Sequence, residues 1–234
     1  MGVARPGDMG LDVVHINLHK TFATPHGGGG PGSGPSGCKA FLAEFLPGIR
    51  VREVDGTLRR AEAEKRIGDM RSFGGNFLVV VKALAYLMCI GREGVAETAS
   101  NAVLNANYMM NRLKDLYPMA YDATCMHEFV ITLEQMKHDT GVSALDMAKA
   151  LLDYGMHPPT MYFPLIVHEA LMVEPTETET VETLDEAVAV FRKVMDEALA
   201  DPDHMHERPR TTRVRRPDEV KAARKPVIRY DFGH

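Results

Sequence analysis

The sequence has 234 residues, of which 45% are hydrophobic and 25% are charged, and its formal net charge is −5. These values are typical of a globular protein of one or two domains, and the negative charge argues against general nucleic-acid binding. No apolar run reaches the roughly 20 residues that cross a bilayer, and residues 1–10 lack the apolar centre of a signal peptide. Three widely spaced cysteines predict reduced, buried thiols in a cytoplasmic protein: Cys38, Cys89 and Cys125.

The first predicted element is a short buried strand over residues 11–18, which places Lys20 just beyond its carboxyl end. The glycine-rich run of residues 27–32 follows. A lysine at a strand end, beside backbone without side chains, can lie under a bound cofactor and form an imine with an aldehyde. The residues alone leave the matter open, because most lysines are solvated surface charges and a glycine run also suits a flexible loop.

Residues 34–41 predict a strand that leads into a short helix over residues 42–46, which Pro47 and Gly48 end. The polar and charged residues 49–70 are expected to form a mobile surface connection.

Two helices are predicted next, over residues 76–90 and 95–116, with a break at residues 91–94. The first is apolar nearly all round, which predicts burial on several sides. The second carries apolar residues at helical spacing, and we interpret its methionines as core packing rather than as an adaptable binding face. Three asparagines of this helix are expected to bond neighbouring helices or backbone: Asn101, Asn105 and Asn107.

From Pro118 the pattern changes to a strand–helix–strand–strand–helix order, which suits a small α+β domain packed on a larger one. Strands are predicted over residues 129–133 and 171–174. One helix is predicted over residues 144–154, capped by Ser143 with Asp146 in its first turn and ended by Gly155, and an amphipathic helix is predicted over residues 183–199.

The last segment, residues 202–234, holds nine Lys and Arg against five Asp and Glu. Such a basic segment suits a disordered arm. The alternative is an extended tail docked on the protein or on a partner subunit, which the family resemblance described next favours.

His19-Lys20-Thr21, followed by Pro25-His26 and the glycine run, resembles the cofactor-lysine segment of the glycine cleavage system P-protein family. These are pyridoxal-phosphate-dependent, decarboxylating glycine dehydrogenases. The resemblance extends from about residue 4 to the end and is closest to the C-terminal subunit of two-subunit bacterial forms. Further segments resemble the family in the same order: residues 71–77, 101–108, 127–129, 153–164 and 171–179.

The resemblance implies the pyridoxal-phosphate-dependent transferase fold of type I, the aspartate-aminotransferase-like α/β type with an α+β C-terminal domain, present here in part. Residues 1–70 would end the large cofactor-binding domain, 71–117 would be connecting helices, 118–200 the small α+β domain and 201–234 a basic tail. Most of the family's large domain precedes the cofactor lysine. The chain is therefore expected to be a C-terminal fragment or subunit that is nearly inactive alone.

The family resemblance also implies the chemistry, which is glycine decarboxylation with transfer of the aminomethyl group to the lipoyl arm of H-protein. It implies pyridoxal 5'-phosphate as cofactor, with Lys20 as the catalytic residue that binds it as an imine. His19 would contact the cofactor or its phosphate, although a strand-end histidine bonded to backbone is an equal alternative. The candidates for the substrate side are His26, Gly28, Gly29, His157 and Thr160.

The partners implied by the resemblance are lipoylated H-protein and either an N-terminal P-protein subunit or a missing upstream half. Turn structure would explain the prolines beside His157 equally well. No metal is predicted, because His15 and His19 have no third ligand nearby. Two alternatives to the family function remain open: a non-catalytic fragment that only docks a partner chain, and another pyridoxal-phosphate-dependent amino-acid decarboxylase.

Overall fold

The computed structural model describes residues 1–26, 32–70 and 75–233 of the chain. The chain forms two units, Met1–Thr98 and Ala99–His234. The four-part domain division expected from the sequence stays a prediction. Within the described ranges, no helix combines the length and the apolar character needed to cross a membrane.

The first unit begins with two short antiparallel strands, β1 (Val13–His15) and β2 (Ser36–Cys38), and a 3-10 helix (Ala40–Phe45) follows them. The strand predicted over residues 34–41 is confirmed at reduced length. The short helix predicted over residues 42–46 is present as a 3-10 helix that begins two residues earlier and ends one residue earlier. The prediction of a buried strand over residues 11–18 is wrong in extent and burial. Its regular part is three residues long and exposed or half-buried, because a two-stranded sheet with open faces provides no layer to cover it.

Residues 49–70 contain a hairpin of β3 (Ile49–Val54) and β4 (Thr57–Glu62), so the prediction of a mobile connection is wrong there. The two strands are joined by Asp55 and Gly56, whose φ values are 52° and 72°. An Asp-Gly pair with positive φ at both residues is a favoured two-residue hairpin turn. The charged composition concealed this signal, because both faces of the hairpin are largely exposed and the usual alternation of apolar and polar residues is absent.

The helix α1 (Phe77–Leu113) has non-helical backbone at Gly91, with φ 65° and ψ −173°, which confirms the predicted break. The prediction that residues 76–90 are buried on several sides is wrong for this chain. Phe77 and Leu78 are 71% and 78% exposed, and within this stretch Ala83 is the buried residue. The physical reason is that the described residues place no apolar layer against this part of the helix. For the same reason Cys89 is exposed, and Cys38 and Cys125 are half-buried, so the prediction of buried cysteines is wrong.

The second unit contains an antiparallel sheet of β5 (Phe129–Thr132), β6 (Thr160–Met161) and β7 (Ala170–Val173), in the order β5-β7-β6. Phe129 pairs with Val173, and Thr160 pairs with Met172. The helices of this unit are α2 (Glu134–Thr140), α3 (Ala144–Asp153), α4 (Val181–Ala200), α5 (Pro202–Met205) and α6 (Glu219–Arg224). The strands and long helices predicted here are confirmed, and so is their strand–helix–strand–strand–helix order, with β6 as the additional strand. The short helix α2 was not predicted.

Local sequence signals set the ends of α3. The Asp146 backbone N–H donates to Ser143 Oγ at 3.3 Å, and the Ser143 N–H donates to Asp146 Oδ2 at 2.9 Å, which is a capping box. After Asp153 the chain leaves the helix, and Gly155 adopts a positive φ of 72°. The predicted start and end of this helix are therefore confirmed.

The core of the second unit lies between its sheet and its helices, and it includes Met109, Met147, Met195 and Phe191. Met109 and Met110, the adjacent methionines of the helix predicted over residues 95–116, are 2% and 8% exposed and pack in this core, as predicted. Asn105 Nδ2 donates to the carbonyl oxygens of Thr176 and Glu179 at 2.9 and 3.1 Å. Asn107 exchanges hydrogen bonds with the backbone of Cys125. These two asparagines tie α1 to distant loops, as expected from the sequence.

The start of the basic tail is fixed by the buried carboxylate of Asp153, whose side chain is 2% exposed. It accepts hydrogen bonds from Arg208 Nη1 at 2.9 Å, from the backbone N–H groups of Arg210 and Thr211 at 2.7 Å, and from Thr211 Oγ1 at 2.8 Å. Residues 217–233, by contrast, are exposed. The tail is therefore docked on the protein in its first part only.

The environment of Asp153 also sets its pKa. Burial by itself raises the pKa of the carboxyl, but the hydrogen bonds from Thr211, Arg208 and Arg210 outweigh burial and lower it from 3.8 to about 2. A carboxyl whose pKa is lower in the folded state stabilises the fold above its unfolded pKa, and this contribution is lost as the pH falls through the folded pKa.

We expect Asp153→Asn to lower the free energy of unfolding by about 2 kcal/mol at pH 7, which corresponds to the shift in pKa. The difference from the wild type should persist down to about pH 4.5 and shrink towards pH 2, where the native carboxylate is itself protonated. Urea unfolding followed by circular dichroism at several pH values measures it. Asp122→Asn, at an exposed carboxylate, is the matched control, and an equal loss in both variants would contradict the argument.

Candidate functional site

Backbone pairing positions Lys20. Beyond β1 and β2 the two segments remain paired from the Lys39 N–H, which donates to Asp12 O at 2.9 Å, to the Leu18 N–H, which donates to Ser33 O at 2.8 Å. Residues 19–26, the described residues that follow this pairing, are called the Lys20 loop. Lys20 is the second residue of the loop, and its side chain is exposed. The structure thus places Lys20 just beyond the end of the paired segment, as predicted.

Two histidines, His19 and His26, belong to this loop, and a third, His15, precedes it in β1. The rings of His19 and His26 meet edge to face with centroids 4.2 Å apart. Burial, followed by the nearby positive charges of His26, Lys20 and His15, lowers the pKa of His19 and favours its neutral ring. His15 is engaged in the pairing, since its Nε2 lies 2.8 Å from Asn17 Oδ1 and its Nδ1 lies 3.3 Å from Ser36 Oγ. His19 and His26 are therefore the imidazoles of the described loop that contains Lys20.

Two buried polar atoms flank Lys20 without a hydrogen-bond partner in the described part of the chain: His19 Nδ1 and Thr24 Oγ1. Leaving such an atom unpaired costs about 1–3 kcal/mol, so native proteins usually supply a ligand, an ion or water as its partner. Ala23, between them, has a φ of 56°, a strained value for a residue other than glycine. Strained backbone and unpaired buried groups together are typical of binding sites.

Gly32 and Gly34 lie too close to other parts of the chain to carry a side chain. A Cβ atom on Gly32 would lie 2.0 Å from His19 Nδ1, and one on Gly34 would lie 2.1 Å from the backbone oxygen of Ile16. Side chains at both positions are therefore excluded by contact, and not by an unusual φ. The predicted candidates Gly28 and Gly29 lie outside the described residues.

A cleft of about 610 Å³ in the second unit brings together His157 and Thr160, the two candidates predicted there. Its volume is in the range of small-molecule sites. The remaining lining includes an apolar part, with Met172 and Phe191, and a set of carboxylates: Glu174, Glu179 and Glu186. The carboxylate Glu174 Oε1 lies 3.8 Å from His127 Nε2. The cleft therefore suits a ligand with both cationic and apolar groups.

The sequence predictions thus fall into two groups. Lys20, His19 and His26 share one loop of the first unit, whereas His157 and Thr160 line a cleft of the second unit. Thr24 was missed, because nothing in the sequence distinguishes a buried threonine near a lysine from an exposed one. The roles of all these residues stay predictions. In the part of the chain that the structure describes, no group of three or more His, Cys, Asp or Glu is arranged to hold a metal ion.

Comparison with known sequences identifies the family. The family model described as glycine dehydrogenase, C-terminal domain, matches residues 98–212. A probable glycine dehydrogenase (decarboxylating) subunit 2 of Treponema denticola is 58% identical over 231 residues, which are 98% of this chain and 48% of that protein. The corresponding protein of Kosmotoga olearia is 54% identical over 232 residues, again 98% of this chain and 48% of the relative.

The chain belongs to the glycine dehydrogenase (decarboxylating) subunit 2 family. The resemblance recognised from the Lys20 segment is therefore confirmed. The chain spans about half the length of the curated relatives that it matches.

Two solved structures agree on the fold. The chain is similar to a glycine decarboxylase (P-protein) of the glycine cleavage system in inhibitor-bound form, with a TM-score of 0.67 and 21% identity over 82% of this chain and 46% of that one. It is also similar to the cysteine desulfurase CsdA from Escherichia coli, with a TM-score of 0.57 and 17% identity over 81% and 47% of the two chains. The predicted type I fold of the pyridoxal-phosphate-dependent transferases, present in part, is confirmed.

The described residues also fit the cofactor that this fold implies. A phosphate group needs hydrogen-bond donors, and His19 Nδ1 and Thr24 Oγ1 are buried and unpaired among the described residues. An aldehyde needs an accessible amine, and the Lys20 side chain is exposed within the same loop. The donor set and the amine therefore suit pyridoxal 5'-phosphate.

We expect Gly34→Ala to disrupt the pairing that positions Lys20, because the added Cβ would collide with the Ile16 carbonyl. Amide hydrogen exchange of Leu18, whose N–H donates to Ser33 O, should accelerate at least tenfold. Gly37→Ala is the matched control: Gly37 lies in β2, and nothing stands within 4 Å of its added Cβ. Equal exchange rates at Leu18 in the two variants would contradict the argument.

Proposed function

We propose that the chain provides the cofactor lysine of a glycine dehydrogenase (decarboxylating), an enzyme that removes the carboxyl group of glycine and transfers the aminomethyl group to the lipoyl arm of an H-protein. The observation that carries this proposal is the position of Lys20, exposed in a loop that also contains two unpaired buried polar atoms. The names of the relatives, at 58% and 54% identity, support the same activity.

The cofactor proposed is pyridoxal 5'-phosphate. Lys20 would hold its aldehyde through the Nζ amine, and His19 and Thr24 would donate hydrogen bonds to its phosphate. When bound, the cofactor supplies an electron sink for the charge that remains on the glycine carbon after decarboxylation. The lowered pKa of His19 keeps its ring neutral, so that one ring nitrogen carries a donor hydrogen and the other is an acceptor.

Recognition of glycine is expected to depend on its charged ends, because the substrate has no side chain. We propose His26, Gly28, Gly29, His157 and Thr160 as the substrate-side residues. Histidine and threonine side chains can donate hydrogen bonds to a carboxylate, and glycine backbone can approach a small substrate closely. His26 is supported by its contact with His19, and the other two side chains are supported by their shared cleft.

The partners proposed for the whole enzyme are lipoylated H-protein and either an N-terminal P-protein subunit or polypeptide equivalent to the upstream half of the relatives. The subunit 2 name of the relatives supports a partner subunit. The cytoplasmic location expected from the sequence stays a prediction.

Two observations each favour an alternative function that the experiments below test. The chain spans about half of its relatives, which suits a fragment that docks a partner without chemistry of its own. The fold is shared with a cysteine desulfurase, so another pyridoxal-phosphate-dependent reaction on a different amino acid is the second alternative.

We expect borohydride reduction of the chain with pyridoxal phosphate and its partner chains to place the cofactor on the peptide that contains Lys20. Mass spectrometry of the digested protein detects the added mass. Lys20→Arg should abolish the adduct, since a guanidinium does not form the imine. Lys39→Ala, which removes a nearby lysine paired with Asp12, should retain it. Labelling spread evenly over other lysines would support the docking fragment instead.

In the reconstituted enzyme, we expect Lys20→Ala to reduce release of carbon dioxide from glycine on the order of 10³-fold or more, because the covalent attachment point is lost. Carbon dioxide from carboxyl-labelled glycine, with and without H-protein, measures this activity. Faster release from another amino acid would favour the second alternative. The isolated chain should show little turnover, and robust activity without partners would contradict that expectation.

A further inference from the structure

Arg208 connects two helices of the second unit. Its Nη1 atom donates to Oδ2 of Asp153, the last residue of α3, at 2.9 Å, and its Nη2 atom donates to Oε2 of Glu197 in α4 at 2.7 Å. The guanidinium also lies over the ring of Tyr154, with its Cζ atom 5.9 Å from the ring centroid. The Arg208 side chain is 12% exposed. A nearly buried arginine therefore contacts α3, α4 and the residue that follows α3.

Tyr154 belongs both to this cluster and to the cleft of the second unit. Its side chain contributes to the lining of the cleft, and its hydroxyl donates to Glu197 Oε1. A second cation, Lys193 Nζ, lies 4.8 Å from the centroid of the ring. Cations attract the face of an aromatic ring, so two such contacts and one hydrogen bond fix the orientation of Tyr154.

The chain leaves α3 after Tyr154 in a fixed direction. The Met156 N–H donates to Leu151 O at 3.1 Å, and the Gly155 N–H donates to Leu152 O at 3.0 Å. With the positive φ of 72° at Gly155, these two bonds form a Schellman motif. The orientation of this helix end therefore determines the path of the residues that follow it.

The segment of residues 154–160 is short and stiff, and each of its residues lines the cleft. Pro158 and Pro159 fix two of its φ angles, because the proline ring closes on the backbone nitrogen. The far end of the segment begins β6, which pairs with β7. His157 lies between the two held ends, so a change at the α3 end is transmitted to its position.

We propose that Arg208 is a positioning residue for the substrate side of the cleft. It holds Tyr154, and through Tyr154 the segment that carries His157 and Thr160, in the orientation that binds the substrate. This inference rests on the proposed function, in which His157 and Thr160 recognise glycine. The residues of the cluster and of the segment all lie within residues 98–212, so the contacts belong to the single domain that the family model matches.

The make-up of the cluster favours positioning over stability as the role of Arg208. Removing charges from water costs free energy that their mutual attraction only just offsets, so a buried ion pair contributes little net stability. Arg208 Nε is also buried without a hydrogen-bond partner in the described part of the chain. The planar guanidinium, however, reaches two carboxylates at a fixed angle, which a lysine ammonium cannot do. The cluster therefore specifies an arrangement more than it stabilises the fold.

The first test is amide hydrogen exchange in Arg208→Lys. Lysine keeps a positive charge beside the two carboxylates, so circular dichroism should show a retained fold, but the planar two-carboxylate contact is lost. We expect the Gly155 and Met156 amides to exchange at least fivefold faster than in the wild type. The Leu133 amide, which donates to Glu169 O, should be unchanged. Wild-type exchange rates at Gly155 and Met156 would overturn the proposal.

Arg192→Lys is the matched control. Arg192 Nη2, on α4, also bonds two groups, the Arg112 carbonyl oxygen and Asp115 Oδ1, both at 2.6 Å, and neither of these residues lines the cleft. Exchange at Gly155 and Met156 should equal that of the wild type in this variant. The same acceleration in both variants would indicate a general loss of packing and would overturn the proposal.

The second test is the kinetics of glycine decarboxylation in the reconstituted enzyme. Loss of ground-state binding raises KM and leaves kcat unchanged. Arg208→Lys should raise the KM for glycine at least fivefold with kcat within twofold of the wild type, whereas Arg192→Lys should leave both within twofold. Glu197→Gln removes the charged α4 partner and keeps an acceptor for the Tyr154 hydroxyl, so it should raise KM by a smaller factor. A lower kcat with unchanged KM in Arg208→Lys would overturn the proposal.

Failure of this inference is distinguishable from failure of the proposed function. If the wild-type enzyme releases carbon dioxide from glycine and Arg208→Lys has an unchanged KM, the proposed function stands and this inference is wrong. If the wild-type enzyme releases none, the proposed function is wrong and so is the part of the inference that concerns glycine. The exchange rates then still decide whether Arg208 positions residues 154–160.

Discussion

The antiparallel pairing of residues 12–18 with residues 33–39 is the constraint on which the candidate site depends. Its last backbone bond, from Leu18 to Ser33, fixes where the loop begins, and Lys20 follows two residues later. The pairing requires side-chain-free backbone at Gly34, because any Cβ there would contact the opposite strand. A short ladder of backbone hydrogen bonds, with little burial, therefore sets the point at which the loop with His19, Lys20, Thr24 and His26 begins.

The two units obtain their order from different physical sources. The second unit buries the apolar faces of its sheet and helices against one another, and a buried carboxylate, Asp153, ties the start of the tail to α3. The first unit relies on hydrogen bonds between strand pairs and leaves most of its apolar side chains exposed. Burial supplies most of the stability of a small domain. The first unit therefore has less buried apolar surface to stabilise it than the second unit has.

The candidate residues also differ in what brings them together, which is proximity in sequence for one group and tertiary packing for the other. His19 and Lys20 are adjacent in sequence, and the same loop brings His26 within 4.2 Å of His19. His157 and Thr160 depend on a different arrangement, since the cleft that they line is also lined by residues of β7 and of α4, which begins at Val181. The candidate residues of the loop and those of the cleft thus belong to separate units, and different secondary-structure elements hold them.

The sequence by itself determined the family, the place of Lys20 after a strand, the capped ends of α3 and the helical break at Gly91. Each of these depends on neighbouring residues, whose hydrogen bonds and backbone preferences are local. Only the tertiary structure decided that Thr24 is buried without a partner, that His157 and Thr160 share a cleft, and that residues 77–90 are exposed. Burial depends on side chains that are far apart in sequence or that belong to another polypeptide. The sequence around a residue therefore does not show what covers that residue.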